Sequence, residues 1–114
     1  MIEIWLKEFS TAWIVKDLAG VLRLFGSGVE YWETPYKKLQ DRTELEREWS
    51  AITGQQNVEL NTQLFAKEAD KYTVLWRLSY ENENNEVQDW AGVYLIRLDA
   101  EGKCIYFYQT GERA

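Results

Sequence analysis

Val58-Glu59-Leu60-Asn61-Thr62-Gln63-Leu64-Phe65-Ala66-Lys67-Glu68-Ala69-Asp70-Lys71-Tyr72-Thr73-Val74-Leu75-Trp76-Arg77-Leu78-Ser79-Tyr80 is the stretch on which the fold turns. Val58, Leu60, Thr62, Leu64 and Ala66 alternate with polar residues, which is the period of a strand, because its successive side chains point to opposite faces. Ala69-Asp70-Lys71 supplies a tight reversal. Tyr72, Val74, Trp76, Leu78 and Tyr80 then form the heavier face of a second strand. Residues 81–86 are charged and Asn-rich and form a loop. Residues 87–98 and 103–110 read as two further strands joined at Asp99-Ala100-Glu101-Gly102. Connections this short make neighbouring strands antiparallel, so the second half of the chain is a four-stranded meander.

Upstream of the turn Gly54-Gln55-Gln56-Asn57 the period changes. Ile2, Trp5, Leu6, Phe9, Ala12 and Trp13 recur at helical spacing and predict a helix over 2–16. Asp17 is an N-cap for a shorter helix with Leu18, Val21, Leu22 and Phe25 on its buried face, stopped by Gly26-Ser27-Gly28. A strand over 29–34 follows and ends at Pro35, which has no N–H to give to a ladder. Thr43-Glu44-Leu45-Glu46 matches a capping box and opens a third helix to about Ile52, with Trp49 as its largest apolar residue. The fold class is α+β: helices first, then a curved antiparallel sheet wrapped around them.

A chain of 114 residues is one domain, here residues 1–114, and can bury a core without staples. Six Trp and seven Tyr in so short a chain must line a core, a pocket or an interface. A net charge of −6 leaves no basic footprint for nucleic acid or for an anionic membrane surface. The first residues lack the basic stretch and apolar run of a signal peptide, and Cys104 stands alone, so a cytoplasmic protein is expected. With no histidine, a Ser-His-Asp triad, a His-activated thiol and a His-ligated metal are all excluded, and neither metal nor cofactor is expected. Acid–base work near neutral pH falls to a carboxyl with a raised pKa, a Tyr or a Lys.

The last three strands carry apolar groups on both faces. Helices cover one face; on the other, Leu75, Val93, Leu95, Tyr106 and Tyr108 would form an exposed patch. A symmetric homodimer through this outer face is expected to cover it.

The element order meets particular residues. Asp17-Leu18-Ala19-Gly20-Val21-Leu22-Arg23-Leu24-Phe25 resembles the second-helix signature of the nuclear transport factor 2-like superfamily, which includes the SnoaL-like proteins. Trp32-Glu33-Thr34-Pro35, Arg47-Glu48-Trp49 and Asp99-Ala100-Glu101-Gly102-Lys103-Cys104-Ile105 match further pieces in the same order. The resemblance covers nearly the whole chain. It implies a cone, the cystatin-like α+β barrel, with a pocket at its wide end. That family spans isomerases, dehydratases, cyclases and proteins without known activity, so the fold does not choose the function. Carried over from the ketosteroid isomerases of that family, the base position falls on Thr34, which cannot take a proton. The first-helix donor falls on Phe9 and the fourth-strand donor on Tyr94, the one of the three able to serve an oxyanion.

The same register implies that Trp32 and Thr34, Val74, Trp76 and Leu78, Tyr94 and Ile96, and Ile105, Phe107 and Gln109 face inward, with Phe9, Trp13 and Trp49 meeting them from the helices. Such an aromatic pocket, with Thr34, Tyr94 and Gln109 as its polar groups, suits a small apolar or aromatic ligand. The alternative is a cone filled solid by its tryptophans. Glu33 and Asp89 are the carboxyls that a β-bulge would turn inward, where burial would raise their pKa; without one they are solvated strand residues. Three readings stay open: a dimeric ligand-binding domain; a cofactor-free isomerase, cyclase or dehydratase using Tyr94 with Glu33 or Asp89; and a protein-interaction domain with a filled core.

Overall fold

The computed structural model describes all 114 residues. Helix α1 (Ile2–Ile14) lays Ile2, Trp5, Leu6, Phe9, Ala12 and Trp13 on one buried face, as the spacing requires. Helix α2 (Leu18–Leu22) is capped by Asp17, whose carboxylate accepts from the Gly20 N–H at 3.0 Å. Strand β1 (Phe25–Thr34) starts earlier than expected, so Gly26-Ser27-Gly28 lies within a strand and does not end a helix. A short strand β2 (Lys37–Leu39), unmarked by any apolar alternation, turns back on it.

Helix α3 (Arg42–Trp49) is opened by Asp41, whose side chain accepts from the Glu44 N–H at 2.9 Å, while the Glu44 carboxylate accepts from the Gln40 N–H. The capping arrangement is therefore real but sits two residues upstream of Thr43. A 3-10 turn, Ser50–Gly54, leads into β3 (Gln56–Glu68), β4 (Lys71–Glu81), β5 (Val87–Leu98) and β6 (Cys104–Arg113). Arg42 fastens the helical layer to the sheet by donating to the carbonyls of Leu22 and Phe25.

The six strands make one sheet in the order β2-β1-β6-β5-β4-β3. The last four form the expected meander. The sheet as a whole is mixed, because β1 pairs with β6 in parallel. That ladder sets Tyr31 beside Phe107 and Trp32 beside Tyr108. Phe107 is fully buried, and the Tyr31 ring stacks on it at 4.9 Å, so Tyr31 shares its inner face. Trp32 is thereby sent to the outer face. The strand register expected from sequence was one residue out at this point, and such a slip exchanges the two faces of a strand.

The core gathers around Phe9, which makes ring contacts with Trp5, Trp13, Trp49, Tyr94 and Phe107 at 4.9–6.2 Å. Phe9 and Phe107 are both fully buried and fill the narrow part of the cone. Cys104 takes the buried position expected of its neighbour Ile105, because the β5–β6 register shifts beside it. Burial pushes its thiol pKa well above the ordinary thiol range. Trp76 lies in register with Gly92, and Gly92 with Gly111. A Cβ on Gly111 would come within 2.6 Å of the Trp76 ring, and one on Gly92 within 1.9 Å of the Thr110 carbonyl oxygen. Close backbone approach requires glycine at 92, and at 111 any added carbon would have to displace the Trp76 ring.

Candidate functional site

The wide end of the cone is open. A cavity of about 390 Å³ lies between the helical layer and the inner sheet face, so the tryptophans do not pack the cone solid. Trp13 comes from α1, Glu48 and Trp49 from α3, Trp76 from β4, Trp90 and Tyr94 from β5, and Gln109 from β6. Inner positions two apart on neighbouring strands converge here because the pleat points alternate side chains the same way.

Of the residues expected to form a pocket, Trp13, Thr34, Trp49, Trp76, Tyr94 and Gln109 line this cavity together. Phe9 and Phe107 do not; they form the packed floor beneath it. Trp32 does not either, for the register reason given above; its indole N–H donates to the Glu30 carboxylate on the outer face, and its ring lies 6.5 Å from that of Tyr108. Asp89 is outside as well. It pairs in regular register with Ser79, with no bulge to turn it, and borders an outer groove with Arg77 and Glu59.

Glu33 is inside. The β1–β2 register shifts between Trp32 and Thr34, and this irregularity brings Glu33 and Thr34 both to the cavity wall. Glu33 is half-buried, and its carboxyl pKa is pushed from 4.5 up to about 7. Burial is the main cause and the nearby Glu48 carboxylate the second; Lys37 and hydrogen bonding from Tyr31 and Gln109 act in the opposite direction. Tyr94 is almost fully buried, and its hydroxyl pKa is driven up, first by desolvation and then by the charge of Glu33. At neutral pH Tyr94 is therefore a hydrogen-bond donor, while Glu33 is balanced between acid and base.

Three of the four lining tryptophans carry an unpaired indole group. The indole N–H groups of Trp49, Trp76 and Trp90 are buried without a hydrogen-bond partner, Trp49 lying toward the Tyr31 hydroxyl but outside bonding geometry. The Trp13 N–H, by contrast, donates to Gln55 at 2.7 Å. A buried donor left unpaired costs on the order of 1–3 kcal/mol, so these groups are a source of strain in the packing around the cavity. Sequence reasoning missed Tyr31, Glu48, Trp90 and Gly111 as lining residues. The signal for Tyr31 lay in a partner strand far away in the chain; that for Trp90 was present in the inward alternation of Trp90, Gly92 and Tyr94.

No family model matches the chain, and no curated protein matches it. Solved structures do match. The epoxide hydrolase/cyclase-like enzyme SalBIII, from pyran ring formation in the polyether salinomycin, superposes with a TM-score of 0.83 at 14% identity over 96% of this chain and 89% of that one. The Delta 5-3-ketosteroid isomerase from Mycobacterium sp. gives 0.81 at 12% identity over 97% and 96%. An NTF2-like protein of unknown function from Exiguobacterium sp. 255-15 gives 0.78 at 14% over 95% and 98%. At these identities the likeness is one of fold. The chain has the nuclear transport factor 2-like fold, a cone of helices and sheet.

The raised pKa of Glu33 makes stability depend on pH in a set direction. Between its ordinary value of 4.5 and about 7, the folded chain keeps a proton that the unfolded chain has released. Stability from this group is fully present below the lower value and is lost as pH rises through the upper one. Glu33→Gln should therefore match the parent near pH 4 and exceed its stability at pH 8 by roughly 2–3 kcal/mol, allowing for partial solvent screening. Urea denaturation at the two pH values checks this; a constant difference between the proteins would mean that Glu33 is solvated.

Proposed function

We propose that this chain is a small-molecule-binding domain whose cavity takes a planar, largely apolar ligand carrying a few acceptor oxygens. The observation that carries this reading is the cavity itself: about 390 Å³, walled by tryptophan and tyrosine and open at the wide end of the cone. A volume of this order lies in the ligand-pocket range. Tyr94 and Gln109 supply hydrogen bonds to orient the guest. The lone Cys104 is buried and reduced in this reading, which suits a cytoplasmic protein. A titration following tryptophan fluorescence with planar naphthol and tetralone probes should saturate at micromolar concentrations. Ala51 is exposed at the cavity wall, so Ala51→Trp should block entry with little effect on folding and weaken binding at least about tenfold. Unchanged binding by that variant, or no binding of any probe, would reject the site.

A second reading is favoured by Glu33. A carboxyl with a pKa of about 7 in an aromatic cavity with a buried phenol suits proton transfer next to a carbonyl group. Glu33 would remove a proton from the carbon beside the carbonyl, and the Tyr94 hydroxyl would donate to the oxygen on which charge develops. Returning the proton from Glu33 to a different carbon completes an isomerisation. The isomerase and the cyclase-like enzyme that share this fold lend the reading support. Deuterium uptake at the carbon beside the carbonyl of a bound tetralone should rise with pH and level off above about 7. Glu33→Gln should lower it by roughly 10²–10⁴-fold. If uptake is no faster than in buffer, the domain binds without chemistry.

Assembly completes the proposal: a homodimer through the outer sheet face. Leu75 and Leu95 are 37% and 39% exposed in the single chain, with Val93, Tyr106 and Tyr108 half-buried beside them. Thr73, Leu95, Tyr108 and Trp32 run in register across four strands, so Trp32 extends the patch. An interface there should bury upward of about 1,000 Å². Leu95→Arg would place an unpaired charge in it and should give a monomer by light scattering; a monomeric parent at high micromolar concentration would reject the dimer.

A further inference from the structure

The charge of the cavity has a definite sign. Its wall holds four tryptophans, three tyrosines and two carboxylates, Glu33 and Glu48, and no lysine or arginine. Glu48 is held in an ion pair by Lys37, whose ammonium lies outside the wall. Glu33 has no ion-pair partner. A carboxylate enclosed by aromatic rings is poorly solvated, and two things relieve it: a proton or a cation. A metal ion is a poor candidate, because nowhere do three or more His, Cys, Asp or Glu side chains gather as a metal site would need. Aromatic rings favour a different cation, since their electron-rich faces attract ammonium groups that carry apolar substituents.

We propose that the cavity selects an organic cation, a quaternary or tertiary ammonium with an aromatic or aliphatic body, whose charged head sits beside Glu33 among the rings of Tyr31, Trp49 and Tyr94. This inference rests on the reading of the cavity as a small-molecule site and adds the charge class of the guest. Tyr31, Trp49, Tyr94 and Glu33 all belong to the same wall, and Glu48 reinforces the negative potential at that end. The cation displaces the proton that Glu33 otherwise takes up. Facing Glu33 are Tyr31 of its own strand, Lys37 of β2, Glu48 of α3, Tyr94 of β5 and the neutral Gln109 of β6. Both tyrosines keep their protons at neutral pH, their pKa values being raised by burial. Binding below neutrality must then release a proton, and affinity for the cation must grow as pH rises through about 7.

The test compares benzyltrimethylammonium with neopentylbenzene, its neutral isostere with carbon in place of nitrogen. Neither probe can donate or accept a proton, so any proton released comes from the protein. At pH 8 the cation should bind at least about tenfold more tightly than the isostere. At pH 6, calorimetry in two buffers of different ionisation enthalpy should show release approaching one proton per bound cation. Glu33→Gln should lose both the preference and the proton release. Equal or weaker binding of the cation, with the isostere still bound, overturns the charge assignment and leaves the cavity reading standing. Binding of neither probe overturns both.

Discussion

The stack of Tyr31 on Phe107 fixes which way the first strand faces, and most of the chemistry of the cone depends on that choice. The contact lies on the parallel β1–β6 ladder, and its two rings are stacked 4.9 Å apart in nearly parallel planes. Once Tyr31 is inside, Trp32 must be outside, and only the shift in pairing after Trp32 allows Glu33 and Thr34 to reach the same cavity. A regular strand with Trp32 inside would have put a tryptophan where the wall now has a carboxylate. The acid in the cavity is thus a consequence of aromatic packing two residues before it.

Glu33 illustrates how a site can oppose the fold that holds it. Its half-buried carboxyl lies near a second carboxylate and has only Lys37, Tyr31 and Gln109 to offset the repulsion. Three unpaired indole donors add to the same tension. Structural ion pairs elsewhere in the chain, such as Arg97 with Asp70, are exposed and contribute little either way. Polar groups left short of partners are therefore concentrated around one cavity, while the floor formed by Phe9 and Phe107 is wholly apolar and closed. Such a division is what binding or proton transfer requires: a rigid base and a wall whose polar needs a guest can meet.

Much of this was legible in the sequence, and the exceptions have identifiable causes. The four-stranded meander could be read because alternation and short turns are local signals, and Trp76, Tyr94 and Gln109 were placed on the inner face by the same rule. Strand β1 could not be read this way. Both faces of Tyr31-Trp32 are aromatic, so alternation gave no sign of which faced in, and the deciding partner, Phe107, is 76 residues on (107 minus 31). Phe9 and Phe107 were correctly buried but assigned to a pocket, since apolar spacing does not distinguish a wall from a floor. Asp89 and Glu33 looked alike as strand carboxyls; Glu33 shares the inner face of Tyr31, two residues before it, whereas Asp89 lies on the face opposite its neighbour Trp90.

The facing pair Gly92 and Gly111 sets the depth of the cavity by what is missing. Gly92 lets the β6 backbone approach closely, and the bare backbone of Gly111 lets the Trp76 ring settle against the sheet, where it stacks on Tyr94 at 5.3 Å. A single methyl group on Gly111 would have to lift that ring, and the side open to it is the cavity. Room for a guest is therefore adjustable by one carbon atom behind the Trp76 ring. Related cones could broaden or narrow their choice of ligand through such a change, without altering any of the groups that recognise it.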